Sequence, residues 1–169
     1  MQKKISILIV GAFPKENVGA NVYGGIVTAC KTLINSDFKN DFELMLIDST
    51  QRTNPREVLP IRAYYALIRS VRFVVLLFRK SPDLVLLFAA DGISILEKGA
   101  MAWVARIKKI PIFLFPRGGA LIDQFRSSVF KHICIKVAMR GATHIMCQGN
   151  AWKKFAVREI GFDENRAHI

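Results

Sequence analysis

The chain has 169 residues, 51% of them hydrophobic, and 25 Lys and Arg against 13 Asp and Glu give it a net charge of +12. That length supports a real core, and the apolar fraction excludes a disordered or fibrous chain. Cys30, Cys134 and Cys147 are odd in number and widely spaced, with no CxxC pair or metal spacing. They read as buried thiols in a reducing, cytoplasmic compartment and exclude a disulfide scaffold.

The first element is the run Lys4 to Val10, short, apolar and rich in β-branched residues, as buried parallel strands are. A long glycine-containing loop, Ala12 to Gly25, follows. Gly24 and Gly25 open a helix over 26–36, with Ile26, Ala29, Cys30 and Leu33 on one face. Phe42 to Ile47 is the second strand, and Thr50 to Pro60, polar with two prolines, is a surface loop. Ile61 to Lys80 is a long helix, stopped by Ser81-Pro82-Asp83, and Leu84 to Phe88 is the third strand. Ile93 to Lys109 is a helix, Ile112 to Phe115 the fourth strand, and Asp123 to Arg140 one further helix. Thr143 to Cys147 makes the fifth strand and Asn150 to Ile160 the last helix.

Strands separated by helices, with no hairpin signal, predict an α/β chain: one Rossmann-like three-layer domain over 1–169, its parallel sheet covered by helices on both faces. No signal peptide is visible, and the apolar run Val71 to Phe78 falls short of the roughly 20 residues of a membrane span. In open sheets of this kind ligands bind beyond the carboxyl ends of the strands. Three turns there are unusual.

At the first, the helix opened by Gly24 and Gly25 offers free amides that favour a phosphate or carboxylate, yet the spacing fits neither the dinucleotide fingerprint nor the P-loop. Tight helix–strand packing or a flexible turn explains the same glycines. At the second, Asp91 before Gly92 is either a cap for the next helix or a carboxylate that binds hydroxyls or serves as base. At the third, FPRGGALID, Arg117 stands against Gly118 and Gly119. A guanidinium there suits a planar anion or a pair of sugar hydroxyls, and the competing reading is an ion pair with Asp123 that pins the loop.

Basic residues recur along two helices: Arg62, Arg69, Arg72, Arg79 and Lys80 on one, His132, Lys136 and Arg140 on the other. Each alone is a solvated outer face, but with the net charge they point to adhesion at an anionic membrane surface. Nucleic acid is disfavoured, because no aromatics interleave with the basic residues. Trp103 and Trp152, on predicted helices, read as core or interface. No nucleophile elbow, HExxH or Ser-His-Asp pattern occurs, so no catalytic residue and no metal site is assigned.

The order of features resembles the amino-terminal, acceptor-side domain of two-Rossmann-domain (GT-B) glycosyltransferases, specifically family 4. YGGIVTACKTLI is similar to that family's Gly-Gly helix opening, SPDLVLLF to its third strand, and IPIFLFPRGGALIDQF to the stretch where a subset carries Pro-Arg-Gly. The last residues, from Thr143 on, resemble the segment running toward the interdomain linker. The chain departs from the pattern in lacking histidines after strands three and four, and Gln148-Gly149-Asn150 replaces the usual polar set after strand five.

The resemblance implies a transferase moving a sugar from a nucleotide donor to a glycan or lipid-linked glycan, in polysaccharide biosynthesis; the basic faces add a peripheral place at the inner membrane face. It implies no cofactor beyond the nucleotide sugar as substrate. Gly24 and Gly25 would approach the donor diphosphate, while Arg117 and Gly118 would line the acceptor side. The carboxyl-terminal donor-binding domain, with its paired glutamates, would be the missing partner, and without it the chain is expected to be inactive. The alternative is a non-enzymatic, flavodoxin-like binding module for an anionic ligand or partner.

Overall fold

The computed structural model describes residues 4–13, 24–50 and 58–169. It has the predicted class, a three-layer α/β Rossmann-like fold in which neighbouring strands run parallel with helices between them. The chain divides into two compact units, Met1–Asp83 and Leu84–Ile169.

In the first unit, β1 (Ser6–Gly11) is buried over its whole length and pairs in parallel with β2 (Glu43–Asp48), Ser6 opposite Glu43 and Gly11 opposite Asp48. Burial on both faces is why β1 is an unbroken apolar run rather than an alternating one. Between them lie α1 (Gly25–Asn35) and a single turn, α2 (Phe38–Asp41), which the sequence reading did not include. After β2 comes α3 (Leu59–Lys80), with Pro60 in its first turn, where a missing N–H costs nothing. Residues 14–23 and 51–57, most of the two predicted loops, lie outside the described residues.

α3 stops as the sequence predicts. Ser81 adopts a left-handed conformation at φ 44° and Pro82 bars continuation. Asp83 then clamps the start of β1: its Oδ2 accepts from Ser6 N at 2.8 Å and Ser6 Oγ at 2.7 Å, and its own N–H donates to Ser6 O at 2.9 Å.

In the second unit the strand order is β3 (Leu84–Ala89), β4 (Ile112–Pro116), β5 (His144–Met146), β6 (Ala167–His168), all parallel. The helices are α4 (Ile93–Ile107), α5 (Leu121–Arg126), α6 (Val129–Arg140) and α7 (Asn150–Phe155), which runs on into a π-helical turn at Ala156–Ile160. Two predicted features need correction. The single helix expected over 123–140 is two, because Ser128 turns extended and its Oγ accepts from Lys131 N at 3.3 Å, starting α6 afresh. A sixth strand also joins the five expected. β6 is only two residues long, too short for a period-two pattern, and is held where Cys147 N donates to His168 O at 2.6 Å.

α4 and α6 touch closely. A Cβ on Gly99 would lie 2.4 Å from Ala138 Cβ and 2.5 Å from its Cα. Trp103 Nε1 donates to Val137 O at 2.9 Å and Arg106 Nη1 to Arg140 O at 2.8 Å, so Trp103 is an interface residue, as read. His132 differs from its reading as part of a solvated stripe, since its ring packs on Phe125 with centroids 4.1 Å apart. No disulfide joins the three cysteines; Cys30 and Cys147 are buried as expected, and Cys134 is half-exposed. Burial pushes the Cys147 thiol above its ordinary value.

Two predictions follow from these contacts. Gly99→Ala gains helix propensity of roughly 1 kcal/mol, but the new methyl meets helix backbone that cannot yield. The net expected is destabilisation by about 1–3 kcal/mol, read by chemical denaturation. The second concerns His144, which stacks on Phe113 with centroids 4.5 Å apart and sits 3.1 Å, Nδ1 to Nε2, from His168. Burial first, then the neighbouring His168 and Arg166, hold its pKa below the ordinary imidazole value. A base whose folded pKa is depressed stabilises the fold fully above its unfolded value, about 6.5, and that contribution is lost as pH falls through the lower folded pKa. NMR titration should therefore place the His144 midpoint below that of a free histidine; a midpoint at or above it would refute the assignment.

Candidate functional site

In the second unit β3, β4 and β5 end together, with Ala89 opposite Pro116 and Leu114 opposite Ile145. The turns leaving them are tied by hydrogen bonds to backbone groups, two of them made by side-chain amides. Arg117 N donates to Ala89 O at 2.7 Å, continuing the β3–β4 ladder one step beyond the strands. Gln148 Nε2, just past β5, donates to Pro116 O at 2.8 Å. Gln124 Oε1 on α5 accepts from Gly92 N at 2.9 Å, so the turn after β3 is anchored to the helix after β4.

The two glycines of FPRGGALID have different reasons. A Cβ on Gly118 would stand 2.4 Å from Asp91 N, 2.9 Å from Asp91 Cβ and 3.0 Å from Ala90 C, so the turn after β4 presses directly on the turn after β3. Only glycine permits that approach. Gly119 is exposed, and a Cβ there meets nothing within 4 Å. Gly92 is a third case: at φ 64° it is glycine for its backbone conformation.

Asp91 is not the helix cap. The capping position of α4 is Gly92, with no side-chain cap, and the nearby Ala90 N–H donates to Ser94 Oγ at 3.1 Å. Among the described residues nothing donates a hydrogen bond to the Asp91 carboxylate, and Arg117 makes no ion pair with Asp123. The two structural explanations weighed from sequence therefore do not occupy these side chains. What results is a rim with the half-buried Asp91 on one turn and the exposed Arg117 on the next, one residue from the contact at Gly118. Such a pair can accept from and donate to neighbouring hydroxyls of one ligand.

Gly24 and Gly25 belong to the first unit. Gly24 is the capping residue of α1 in an extended conformation, Gly25 the first helical residue, and a Cβ on either meets nothing within 4 Å. Packing thus gives no reason for these glycines among the described residues. The first turn of α1 holds no acidic side chain, so its positive end is uncompensated by its own sequence. In the same unit Asp48, at the end of β2, accepts from Phe13 N and Thr50 N, each at 2.9 Å, which commits its carboxylate to the turns.

Sequence reasoning missed Gln124 and Gln148, the two amides that hold the rim. Gln148 carried a signal in its place directly after a strand, whereas Gln124 was hidden inside a predicted helix. No family model matches the chain, and no curated protein matches it. Among the described residues no group of three or more His, Cys, Asp or Glu is placed to hold a metal ion.

The glycine pair provides a direct test. Gly118→Ala should destabilise by about 1–3 kcal/mol, since the clash is with backbone. Gly119→Ala should be neutral or stabilising by about 0.5 kcal/mol. Equal denaturation midpoints for the two variants would contradict the close approach at Asp91.

Proposed function

We propose that the chain is the amino-terminal, acceptor-side domain of a GT-B glycosyltransferase of the family 4 kind, acting on a glycan or lipid-linked glycan. The observation that carries the reading is the contact of Gly118 with Asp91, which sets a carboxylate and the Arg117 guanidinium on adjoining turns at the carboxyl ends of parallel strands. An acceptor sugar presents vicinal hydroxyls, each both donor and acceptor, and such a pair meets both needs. The Pro-Arg-Gly stretch and the Gly-Gly helix opening support the same reading from the sequence side.

In this reading Asp91 accepts from an acceptor hydroxyl and is the candidate to take its proton as the hydroxyl attacks the donor sugar. Arg117 donates to the neighbouring oxygen and fixes the ring. The amides at the start of α1, Gly24 and Gly25 included, approach the donor diphosphate, whose leaving charge they stabilise. Gly119 lends the loop an open backbone beside the acceptor. The donor's nucleotide is held by a second Rossmann-like domain, so the 169 residues alone orient only one substrate and transfer slowly or not at all. The place of work is the cytoplasm, at the inner membrane face.

The test is acceptor binding followed by NMR on the whole chain, with a panel of neutral oligosaccharides and, separately, nucleotide sugars. A matching glycan should shift the amides of Asp91, Gly92, Gly118 and Gly119. Arg117→Ala and Asp91→Asn should each weaken that binding about ten-fold or more, the worth of a charged hydrogen bond, without moving the denaturation midpoint. Shifts produced at those amides by simple anions and by no sugar would instead identify a non-enzymatic anion-binding module.

A further inference from the structure

We infer that α3 is an interfacial helix that lies along the surface of an anionic lipid bilayer with an apolar face inserted among the headgroups. It deepens the inner-face location of the glycosyltransferase reading, while the observations behind it, exposure and charge along α3, stand without that reading. An amphipathic helix in a globular unit normally buries its apolar stripe and exposes the rest. α3 does bury Phe73 and Leu77 fully, but it carries a second apolar stripe facing away from them. Ile61, Tyr64, Leu67, Ile68, Val71 and Val75 recur at spacings of three and four over some four turns, and all are exposed, Tyr64 at 61%, Leu67 at 62% and Val71 at 55%. Isolated exposed apolar residues mean little, whereas an aligned row along one helix marks an interaction surface.

The charge on the helix selects the occupant. Arg62, Arg69, Arg72, Arg79 and Lys80 are the only ionised groups on α3, which contains no acidic residue. At 100° per residue, Arg72 and Arg79 fall beside the exposed stripe, between it and the buried face. A second copy of this helix would bring like charges together along its length, so pairing with another copy is disfavoured. A bilayer suits both features: the apolar stripe enters the acyl boundary, while the arginine stems lie along it and their guanidinium groups reach lipid phosphates. No helix among the described residues is long and apolar enough to cross a membrane, so α3 lies on the surface instead of spanning it. Of the basic residues noticed in the sequence, Arg72 and Arg79 are thus the flank of the binding face, and the apolar row is its centre.

The experiment is co-sedimentation of the whole chain with vesicles of phosphatidylcholine alone or mixed with phosphatidylglycerol, at low and high salt, with circular dichroism as a check on folding. Wild type should bind the mixed vesicles and retain part of that binding at high salt. Leu67→Glu/Val71→Glu, both at exposed positions, should lose about a hundred-fold or more in affinity, the worth of two inserted aliphatic side chains. Arg72→Gln and Arg79→Gln should each cost about five-fold on mixed vesicles at low salt and little on phosphatidylcholine. Phe130→Glu, on the exposed side of α6, should leave binding within a few-fold. The proposal is overturned if the Leu67/Val71 variant binds like wild type, if Phe130→Glu abolishes binding instead, or if no vesicle binds. It is equally overturned if sedimentation equilibrium shows a dimer that the Leu67/Val71 variant dissociates, which would make a second copy the occupant.

Discussion

Burial of a parallel strand on both faces leaves no side of it on which polar chemistry can sit. β1 is buried at all six positions and β3 at five of six, Leu84 alone being half-exposed. Apart from Ser6, whose hydroxyl and N–H donate to Asp83, every side chain along them is apolar. Polar and charged function is thereby driven to the strand ends, where the chain leaves the sheet and can reach water. The same constraint orders the second unit: Asp91, Arg117 and Gln148 stand within three residues of the ends of β3, β4 and β5.

This is also why so much of the fold was legible. A buried parallel strand writes itself as a run of Ile, Val, Leu and Phe, and the breaks after it are written in glycine and proline. β1, β3 and β4 were placed to within two residues at either end, and the stop of α3 was read from Ser81-Pro82-Asp83. What escaped notice lacks a periodic pattern. Ser127-Ser128 sits in a stretch whose apolar spacing continues through it, and only the capping geometry of Ser128 divides α5 from α6. β6 is too short to alternate. α2 is a single turn whose Phe38 ring meets Phe42 at 4.5 Å, a local contact with no sequence period.

The candidate site was legible in its location but not in its construction. FPRGGALID announces a turn that needs glycine, and sequence cannot say which glycine is held by sterics. Gly118 is, because Asp91 backbone lies against it; Gly119 is not. The reading of Asp91 as a helix cap failed for a related reason. A carboxylate one residue before glycine looks like a cap, but Gly92 at φ 64° takes that position and leaves the aspartate to its N-terminal side. The two glutamines show the converse, a support that only three-dimensional contact reveals.

How the acidic groups are spent bears on the standing of Asp91. In a chain with 13 acidic residues against 25 basic ones, a carboxylate has no shortage of cations. Several are committed: Glu159 to Arg126 at 2.6 Å, Glu97 to the fully buried Lys98 at 2.9 Å, and Asp83 and Asp48 to hydroxyl and backbone donors that shape the turns around β1 and β2. Glu159 is accordingly held below the usual carboxylate range by its hydrogen bond from Arg126. Asp91 is half-buried and, among the described residues, accepts from none. In a molecule with cations to spare, a carboxylate at a strand end that no described group of the chain donates to is left open to a donor from outside it.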